Sequence, residues 1–93
     1  MYSLYILWSK SQKKSYTGTT NNLFKRLALH NGGQVKSTKS GRPWILIYHE
    51  KYNTLSEARK REWFFKCTPR GGKLKRKVII NFLNGRDGGH KVA

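Results

Sequence analysis

The sequence predicts a small α+β domain in which a three-stranded, mostly antiparallel sheet is flanked by three helices, in the order ββαβαα. Its 93 residues allow about one domain, and apolar residues at 37% with aromatic residues at 13% are enough for one small core. Short apolar runs and segments of helical spacing follow one another along the chain. We expect a folded domain over residues 1–84 and a flexible, glycine-rich tail over residues 85–93.

The first third of the chain predicts a hairpin followed by a helix. Residues 2–8 are rich in aromatic and aliphatic types, which favours a buried strand, and residues 16–19 suit a second strand after a polar turn. Asn21 or Asn22 can cap the first helix, and the glycine pair at 32–33 can end it. The expected apolar face of this helix consists of Leu23, Phe24, Leu27 and Ala28.

A loop and a third strand follow. Residues 32–41 are rich in Gly, Ser, Thr, Gln and Lys and predict a loop, which is longer than the usual four to six or so residues. Loops of this length tend to be functional or mobile. Residues 44–50 suit the third strand, which places Glu50 at its end.

Two helices complete the domain. Thr54 and Glu57 form a capping box that opens the second helix, which ends before Pro69. The glycine pair at 71–72 separates it from a third helix, predicted over residues 73–83, which is basic at its start and apolar afterwards.

The charge balance of the chain is strongly basic. Lys and Arg number 20 against 4 Asp and Glu, which gives a net charge of +16. A compact fold with this charge repels itself, so we expect it to bind a polyanion. Nucleic acid is the usual partner and an anionic membrane surface is the rival, whereas a small cation is excluded as a substrate.

Cysteine usage and the N-terminal segment indicate a cytoplasmic protein. The single Cys67 excludes an internal disulfide and fits a reducing compartment. With His30, His49 and His90 it forms no tight cluster of zinc ligands. Residues 1–8 lack the basic segment of a signal peptide, and no stretch approaches the about 20 apolar residues of a membrane span.

One carboxylate stands out among the acidic residues. On the helical wheel Glu62 falls within about 40° of Leu55 and Ala58, in the apolar stripe of the second helix. A carboxylate in such a stripe needs a partner or a metal ion. The simpler interpretation is an i,i+4 ion pair with Lys66, and both stay open at this point.

Arg26 and His30 form a second unusual pair, since they are i,i+4 neighbours on the flank of the first helix. Alone, each of them suits a surface position. Tyr5 in the first strand and Tyr16 in the second would each suit a core aromatic residue with its hydroxyl at the rim. The order and spacing of all these residues form a more specific pattern than any one of them.

The chain at this point resembles the GIY-YIG nuclease superfamily, particularly its small single-domain members. Ser3-Leu4-Tyr5 and Tyr16-Thr17-Gly18 correspond to the two triplets for which the superfamily is named. Residues 22–26 match the helix that carries its arginine, and residues 29–31 match the histidine found in small members. Residues 56–62 match the helix that carries its glutamate.

The resemblance covers about two thirds of the chain and implies metal-dependent cleavage of phosphodiester bonds. It implies that Glu62 binds one Mg²⁺ or Mn²⁺ ion and that Arg26 lies near the phosphate. Tyr5 would be the general base, its pKa lowered by the metal and by cationic neighbours. Tyr16 and His30 would orient water or phosphate, or relay the proton. The first triplet lacks the Gly and Ile of the family and the second lacks its central Ile, but both tyrosines and the glycine are retained.

The remaining basic residues predict contacts with nucleic-acid phosphates, which are independent of sequence. The candidates are Lys36, Lys39 and Arg42 in the long loop, Arg59, Lys60 and Arg61 on the second helix, and Lys73, Lys75, Arg76 and Lys77 in the third. The three tryptophans, Trp8, Trp44 and Trp63, are expected in the core, although one of them could stack on a base.

Three functions remain at this stage. The first is a DNA endonuclease dependent on Mg²⁺ or Mn²⁺, acting without strong sequence specificity. Its substrate would be branched DNA, damaged DNA or the DNA of a mobile element, for example in DNA repair. The second is a nucleic-acid-binding module on the same fold that does not cleave. The third is a basic accessory protein of a ribonucleoprotein, which would not need Glu62 in an apolar stripe.

Overall fold

A computed structural model describes residues 1–85 and confirms the order ββαβαα. Three strands form one antiparallel sheet in the spatial order β2-β1-β3. The expected tail lies outside the described residues from residue 86 onward. Within residues 1–85, no helix combines the length and the apolar character needed to cross a membrane. The elements are β1 (Tyr2–Ser9), β2 (Lys14–Thr20), α1 (Leu23–Asn31), a 3-10 helix (Lys36–Gly41), β3 (Trp44–Tyr52), α2 (Leu55–Cys67) and α3 (Pro69–Leu83).

Strand β1 lies in the middle of the sheet and separates two apolar clusters. Residues 3–9 are all buried, and alternate side chains point to opposite faces of the sheet. The cluster beneath α2 and α3 consists of Leu4, Ile6, Trp8, Ile47, Tyr48, Phe65 and Val78. The cluster beneath α1 consists of Tyr5, Leu7 and Trp44. Each face of the sheet is therefore covered by a different part of the chain.

Helix α1 begins as expected, but its apolar face is narrower than the sequence predicts. The side chain of Asn22 caps the helix. Leu23 and Leu27 pack against the sheet, whereas Phe24 is 89% exposed and Ala28 is exposed. The face turned to the sheet follows i, i+4, i+7 spacing from Leu23, which leaves the other two positions in solvent.

The loop expected over residues 32–41 contains the 3-10 helix and is held at its ends by side chains. Asn31 pairs with the backbone of Trp44: its Oδ1 accepts from the Trp44 N–H at 2.6 Å, and its Nδ2 donates to the Trp44 carbonyl at 3.1 Å. The indole of Trp44 donates to the carbonyl of Thr38 at 2.7 Å. These bonds fix the 3-10 helix beside the C-terminal end of α1.

Helix α3 begins at Pro69, four residues earlier than the sequence predicts. The side chain of Thr68 caps it, and proline is suited to the first helical position because its missing N–H has no partner there anyway. The sequence predicts that Gly71 lies between two helices, but it lies inside α3. A Cβ on Gly71 would lie 1.8 Å from the carbonyl oxygen of Phe64, so the approach of α3 to α2 requires glycine at this position.

The two neighbouring glycines provide a test of this contact. We expect Gly71→Ala to lower the free energy of unfolding by about 1–3 kcal/mol, because an added methyl group collides with a backbone that has little room to move. Gly72→Ala is the matched control, since nothing lies within 4 Å of its Cβ position. It should raise stability by about 0.5–1 kcal/mol. Chemical denaturation followed by circular dichroism measures both, and equal effects of the two changes would contradict the contact.

Strand β3 continues beyond Glu50, whose carboxylate lies in a polar network. Arg61 donates to both oxygens, at 2.9 and 3.1 Å, and the hydroxyls of Tyr48 and Tyr52 donate to them as well. Burial raises the pKa of Glu50, but the hydrogen bonds from Arg61 and the tyrosines outweigh it and hold the pKa below its usual value. The Arg61 guanidinium also lies over the ring of Phe64, 4.6 Å from its centroid. Arg61 is thereby engaged within the protein, between Glu50 and Phe64.

Candidate active site

An open cleft of about 510 Å³ lies along the edge strand β2, between α1 and α2. It brings together Tyr5, Tyr16, Arg26 and Glu62, which are four of the five residues that the sequence nominates as catalytic. The fifth, His30, is buried directly behind Tyr5. The complete lining consists of Tyr5, Tyr16, Gly18, Thr19, Arg26, Arg59, Glu62, Trp63, Lys66 and Cys67.

Gly18 determines where the hydroxyl of Tyr5 lies. The two residues are direct partners across β1 and β2. A Cβ on Gly18 would lie 2.6 Å from the Tyr5 hydroxyl oxygen, so only glycine lets the phenol extend over β2 to the cleft. Tyr16 lies two residues earlier on the same face of β2, with its ring centroid 6.3 Å from that of Tyr5. The Tyr-x-Gly spacing thus places both tyrosines side by side.

Helix α1 supplies two contacts to the Tyr5 hydroxyl. The Nε2 atom of His30 lies 2.9 Å from it, and Nε of Arg26 donates to it at 3.4 Å. The i,i+4 spacing puts both side chains on the same side of the helix. Because a guanidinium has donors but no acceptor, the phenolic proton has only His30 as its partner in this pair of contacts. Both contacts are satisfied when Tyr5 donates to Nε2 of His30.

Thr38, in the 3-10 helix, fixes the opposite nitrogen of the imidazole. Its Oγ1 lies 2.8 Å from Nδ1 of His30 and donates to the carbonyl of Val35 at 3.3 Å. A hydroxyl has one proton, so this oxygen accepts from Nδ1–H of His30. Both ends of the ring thus give the same neutral tautomer, with Nδ1 protonated and Nε2 accepting from Tyr5. Thr38 had no signal in the sequence, since it stands among other small polar residues.

Burial determines the protonation states of Tyr5 and His30. It raises the pKa of Tyr5, and the hydrogen bond from Arg26 only partly opposes this. The expectation of a lowered Tyr5 pKa is therefore wrong for the protein's own groups, because the cation beside the phenol does not compensate for its removal from water. Burial, followed by repulsion from Arg26, lowers the pKa of His30. Tyr5 is a neutral phenol and His30 a neutral imidazole at about pH 7.

Glu62 faces the cleft from α2, and its two oxygens have different partners. Oε1 accepts from the hydroxyl of Thr19 at 3.2 Å, and Oε2 accepts from the ammonium of Lys66 at 2.7 Å. The i,i+4 ion pair proposed as the simpler interpretation is thus present, and the carboxylate also lines the cleft. Among residues 1–85 no group of three or more His, Cys, Asp or Glu is arranged to hold a metal ion. Any metal in the cleft would therefore have Glu62 as its only carboxylate ligand from the lining.

The other nominated residues are more widely spread. Arg59 lines the cleft. Lys36 and Lys39 are exposed on the 3-10 helix, Arg42 is exposed just after it, and Lys73, Lys75 and Arg76 lie on α3 outside the cleft lining.

The tryptophans divide into two kinds. Trp8 and Trp44 are buried as expected, with 7% and 3% of their surface exposed. Trp63 was also expected in the core, but it is 61% exposed and lines the cleft. The buried positions of α2 are Ala58 and Phe65, and Trp63 lies on a different side of the helix.

The fold and the cleft together define a nuclease-type α+β domain, in which tyrosines, an arginine and a carboxylate meet across an edge strand. The family model of the GIY-YIG catalytic domain matches residues 1–75, and the chain belongs to this family. The match includes the region of resemblance in the sequence and continues into α3.

Bacterial proteins designated UPF0213 are similar to this chain. The protein of Lactiplantibacillus plantarum is 46% identical over 77 residues, which is 80% of this chain and 75% of that protein. The protein of Clostridium perfringens is 41% identical over 75 residues, 80% of each chain. The protein of Staphylococcus haemolyticus is 46% identical over 61 residues, 64% of this chain and 74% of its own length. No solved structure matches the chain.

The hydrogen-bond chain predicts the tautomer of His30. In the wild type, ¹⁵N NMR should show a protonated Nδ1 and an unprotonated Nε2. Thr38→Val removes the acceptor for Nδ1–H, so it should shift His30 toward the other tautomer and cost about 1–3 kcal/mol of stability. Thr38→Ser keeps the hydroxyl and should restore the wild-type signal. An unprotonated Nδ1 in the wild type would contradict the assignment.

Proposed function

We propose that this chain is a metal-dependent endonuclease that hydrolyses phosphodiester bonds of DNA. The observation that supports this most directly is the convergence of two tyrosines, an arginine and a carboxylate on one cleft, with a histidine directly behind. The net charge of +16 and membership of the GIY-YIG family favour a nucleic-acid substrate.

Arg26 would stabilise the negative charge that develops on the phosphate. Its guanidinium lines the cleft, and its hydrogen bond to Tyr5 raises a pKa that already keeps it charged at every physiological pH. A cation held in place before the reaction, as Arg26 is by its bond to Tyr5, stabilises the transition state without the cost of reorganisation. Tyr16, next to Tyr5, would orient the water or the phosphate.

Tyr5 and His30 would move the proton of the attacking water. Since the Tyr5 hydroxyl donates to Nε2 of His30, its oxygen can take a proton from water while it passes its own proton to the imidazole. This relay needs a neutral His30 with an unprotonated Nε2, which is the tautomer that Thr38 favours. The raised pKa of Tyr5 thus fits a relay better than a free tyrosinate base.

Glu62 is the residue that would hold the metal ion, Mg²⁺ or Mn²⁺. Such ions prefer oxygen ligands and need only one or two protein carboxylates, because water and substrate oxygens complete the coordination. A single carboxylate facing an open cleft fits this requirement, although Lys66 shares its Oε2. When bound, the ion would supply Lewis-acid stabilisation of the phosphate and of the leaving oxygen.

Basic residues in the cleft and elsewhere on the surface would hold the DNA through its phosphates. We propose that these contacts position the backbone without reading bases, so binding should weaken steeply with salt. The proposed residues are Arg59 beside the cleft, Lys36, Lys39 and Arg42 near the 3-10 helix, and Lys73, Lys75 and Arg76 on α3.

The test of the proposed function is incubation of the purified protein with plasmid and branched DNA in Mg²⁺, Mn²⁺ or a chelator. We expect cleavage in either metal and none with the chelator. Binding without cleavage under every condition would instead indicate the non-cleaving module.

Glu62→Ala tests the metal ligand. It should abolish cleavage and leave DNA affinity equal or slightly higher, because a negative charge is removed from the phosphate path. Glu57→Gln is a matched control, since Glu57 is an acid on the same helix that serves in its N-terminal cap. Gel-based assays measure the cleavage rate and the DNA affinity of each variant. Cleavage by Glu62→Ala at the wild-type rate would remove Glu62 from the site.

Tyr5→Phe tests the relay. It removes one hydroxyl without a change in packing and should lower kcat about 10²-fold or more. Tyr52→Phe is the matched control, because its hydroxyl binds Glu50 in the separate polar network. In the wild type, kcat/KM should fall as the pH drops below about 6.5, since protonation of His30, whose pKa is lowered, removes the proton acceptor. Unchanged turnover in Tyr5→Phe would show that the tyrosine is structural.

A further inference from the structure

Trp63 is an exposed aromatic residue next to the candidate metal ligand, and nothing in the proposed chemistry uses it. Its exposed fraction is 61%, although an indole ring gains free energy when it is buried. It is the only tryptophan of the three in an exposed position, since Trp8 and Trp44 are both in the core. The ring lines the cleft that contains Tyr5 and Glu62.

A second hollow lies on the other side of the indole. It has a volume of about 490 Å³ and is lined by Leu55, Ser56, Arg59, Lys60 and Trp63. Arg59 and Trp63 belong to both hollows, so a ligand that occupies the two would pass over the indole ring. Such a ligand would also meet positive charge, because the side chains of Arg59 and Lys60 are exposed one turn before the ring.

We propose that Trp63 stacks on an unpaired nucleobase of the DNA strand that enters the cleft, while Arg59 and Lys60 contact the neighbouring phosphates. The inference rests on the proposed nuclease function and names the form of DNA that the cleft accepts. An aromatic face with flanking cations matches the alternation of base and phosphate along a single strand. In a duplex the faces of the bases are already stacked on one another, so Trp63 would favour DNA with an unpaired nucleotide beside the bond to be cut.

Phe24 is also an exposed aromatic residue, but its surroundings differ from those of Trp63. It is 89% exposed on α1 and lines a different groove, together with the apolar side chains of Leu23, Leu27 and Leu46. That groove includes none of the nominated catalytic residues, and nothing indicates what would cover it. Phe24 is therefore the matched control for the loss of an exposed ring.

Intrinsic fluorescence measures the stacking directly, since Trp63 is the tryptophan that solvent and ligand can reach. The full-length protein is titrated in EDTA, where no cleavage is expected, with a short thymidine oligonucleotide and with a duplex of the same length. We expect strong quenching by the single strand and weak quenching by the duplex. Trp63→Phe should lose the quenching but retain most of the affinity.

The affinity of the variants completes the test. Trp63→Ala should weaken binding of the single strand about 10-fold or more and leave duplex binding nearly unchanged. Phe24→Ala should bind both as the wild type does. Equal weakening of single strand and duplex in Trp63→Ala would overturn the inference. An emission shift that depends on protein concentration without DNA would also overturn it, because a second copy of the chain would then cover the ring.

The two proposals fail in different ways. Quenching in EDTA together with no cleavage in any metal would refute the nuclease proposal and support the stacking. Normal cleavage in Mg²⁺ together with no quenching, and with equal rates on duplex and on DNA with an unpaired flap, would refute the stacking alone.

Discussion

Strand β1 is paired along both edges and buried on both faces, and this constraint decides where the candidate functional groups lie. Its even-numbered apolar residues build the core beneath α2 and α3, whereas Tyr5 points to the opposite face. A register shift of one residue would exchange the two sets and place a phenol in the apolar core. Because such a shift would disrupt the larger cluster, the packing of one face fixes the position of the hydroxyl on the other.

Acidic residues are few, and each one in the described part of the chain is paired within the protein. Within residues 1–85 there are three acidic residues, Glu50, Glu57 and Glu62, and each has defined partners. Glu50 and Glu57 are used to hold structure together. At Glu62 the partners, Thr19 and Lys66, face the cleft themselves. The remaining cations have few acids to neutralise them, so the positive potential of the surface is available to a polyanion.

The elements of the fold could be predicted because their signals are local. Apolar runs, the capping asparagine and the capping box each act within a few residues. The start of α3 was placed too late although Thr68 and Pro69 are local signals for it, because the glycine pair was interpreted as a break. Gly71 is explained by its contact with Phe64 of another helix and not by its own neighbours in sequence. The position of the 3-10 helix likewise depends on Trp44 and Asn31, which lie outside it.

The candidate site shows the same limit. Spacing and resemblance were sufficient to nominate Tyr5 and Glu62, since motifs preserve the order of residues along the chain. The protein's own groups raise the pKa of Tyr5, because burial, a property of the folded state, outweighs the cation beside the phenol. Thr38 was missed because its partner is reached only after the chain turns back. The exposure of Trp63 was missed because its hydrophobicity was weighed without its position on the helical wheel, where it lies about 140° from Ala58 and about 160° from Phe65.

Asn31 has a consequence for association between copies of the chain. Within the described residues β3 pairs only with β1, so the other edge of β3 offers unpaired N–H and C=O groups that could template the strand of another molecule. The amide of Asn31 occupies the first of these positions by bonding both backbone groups of Trp44. A side chain thereby imitates one residue of a neighbouring strand and ends the open edge where α1 meets it. The same bonds that close the loop therefore block the first pairing position of this edge.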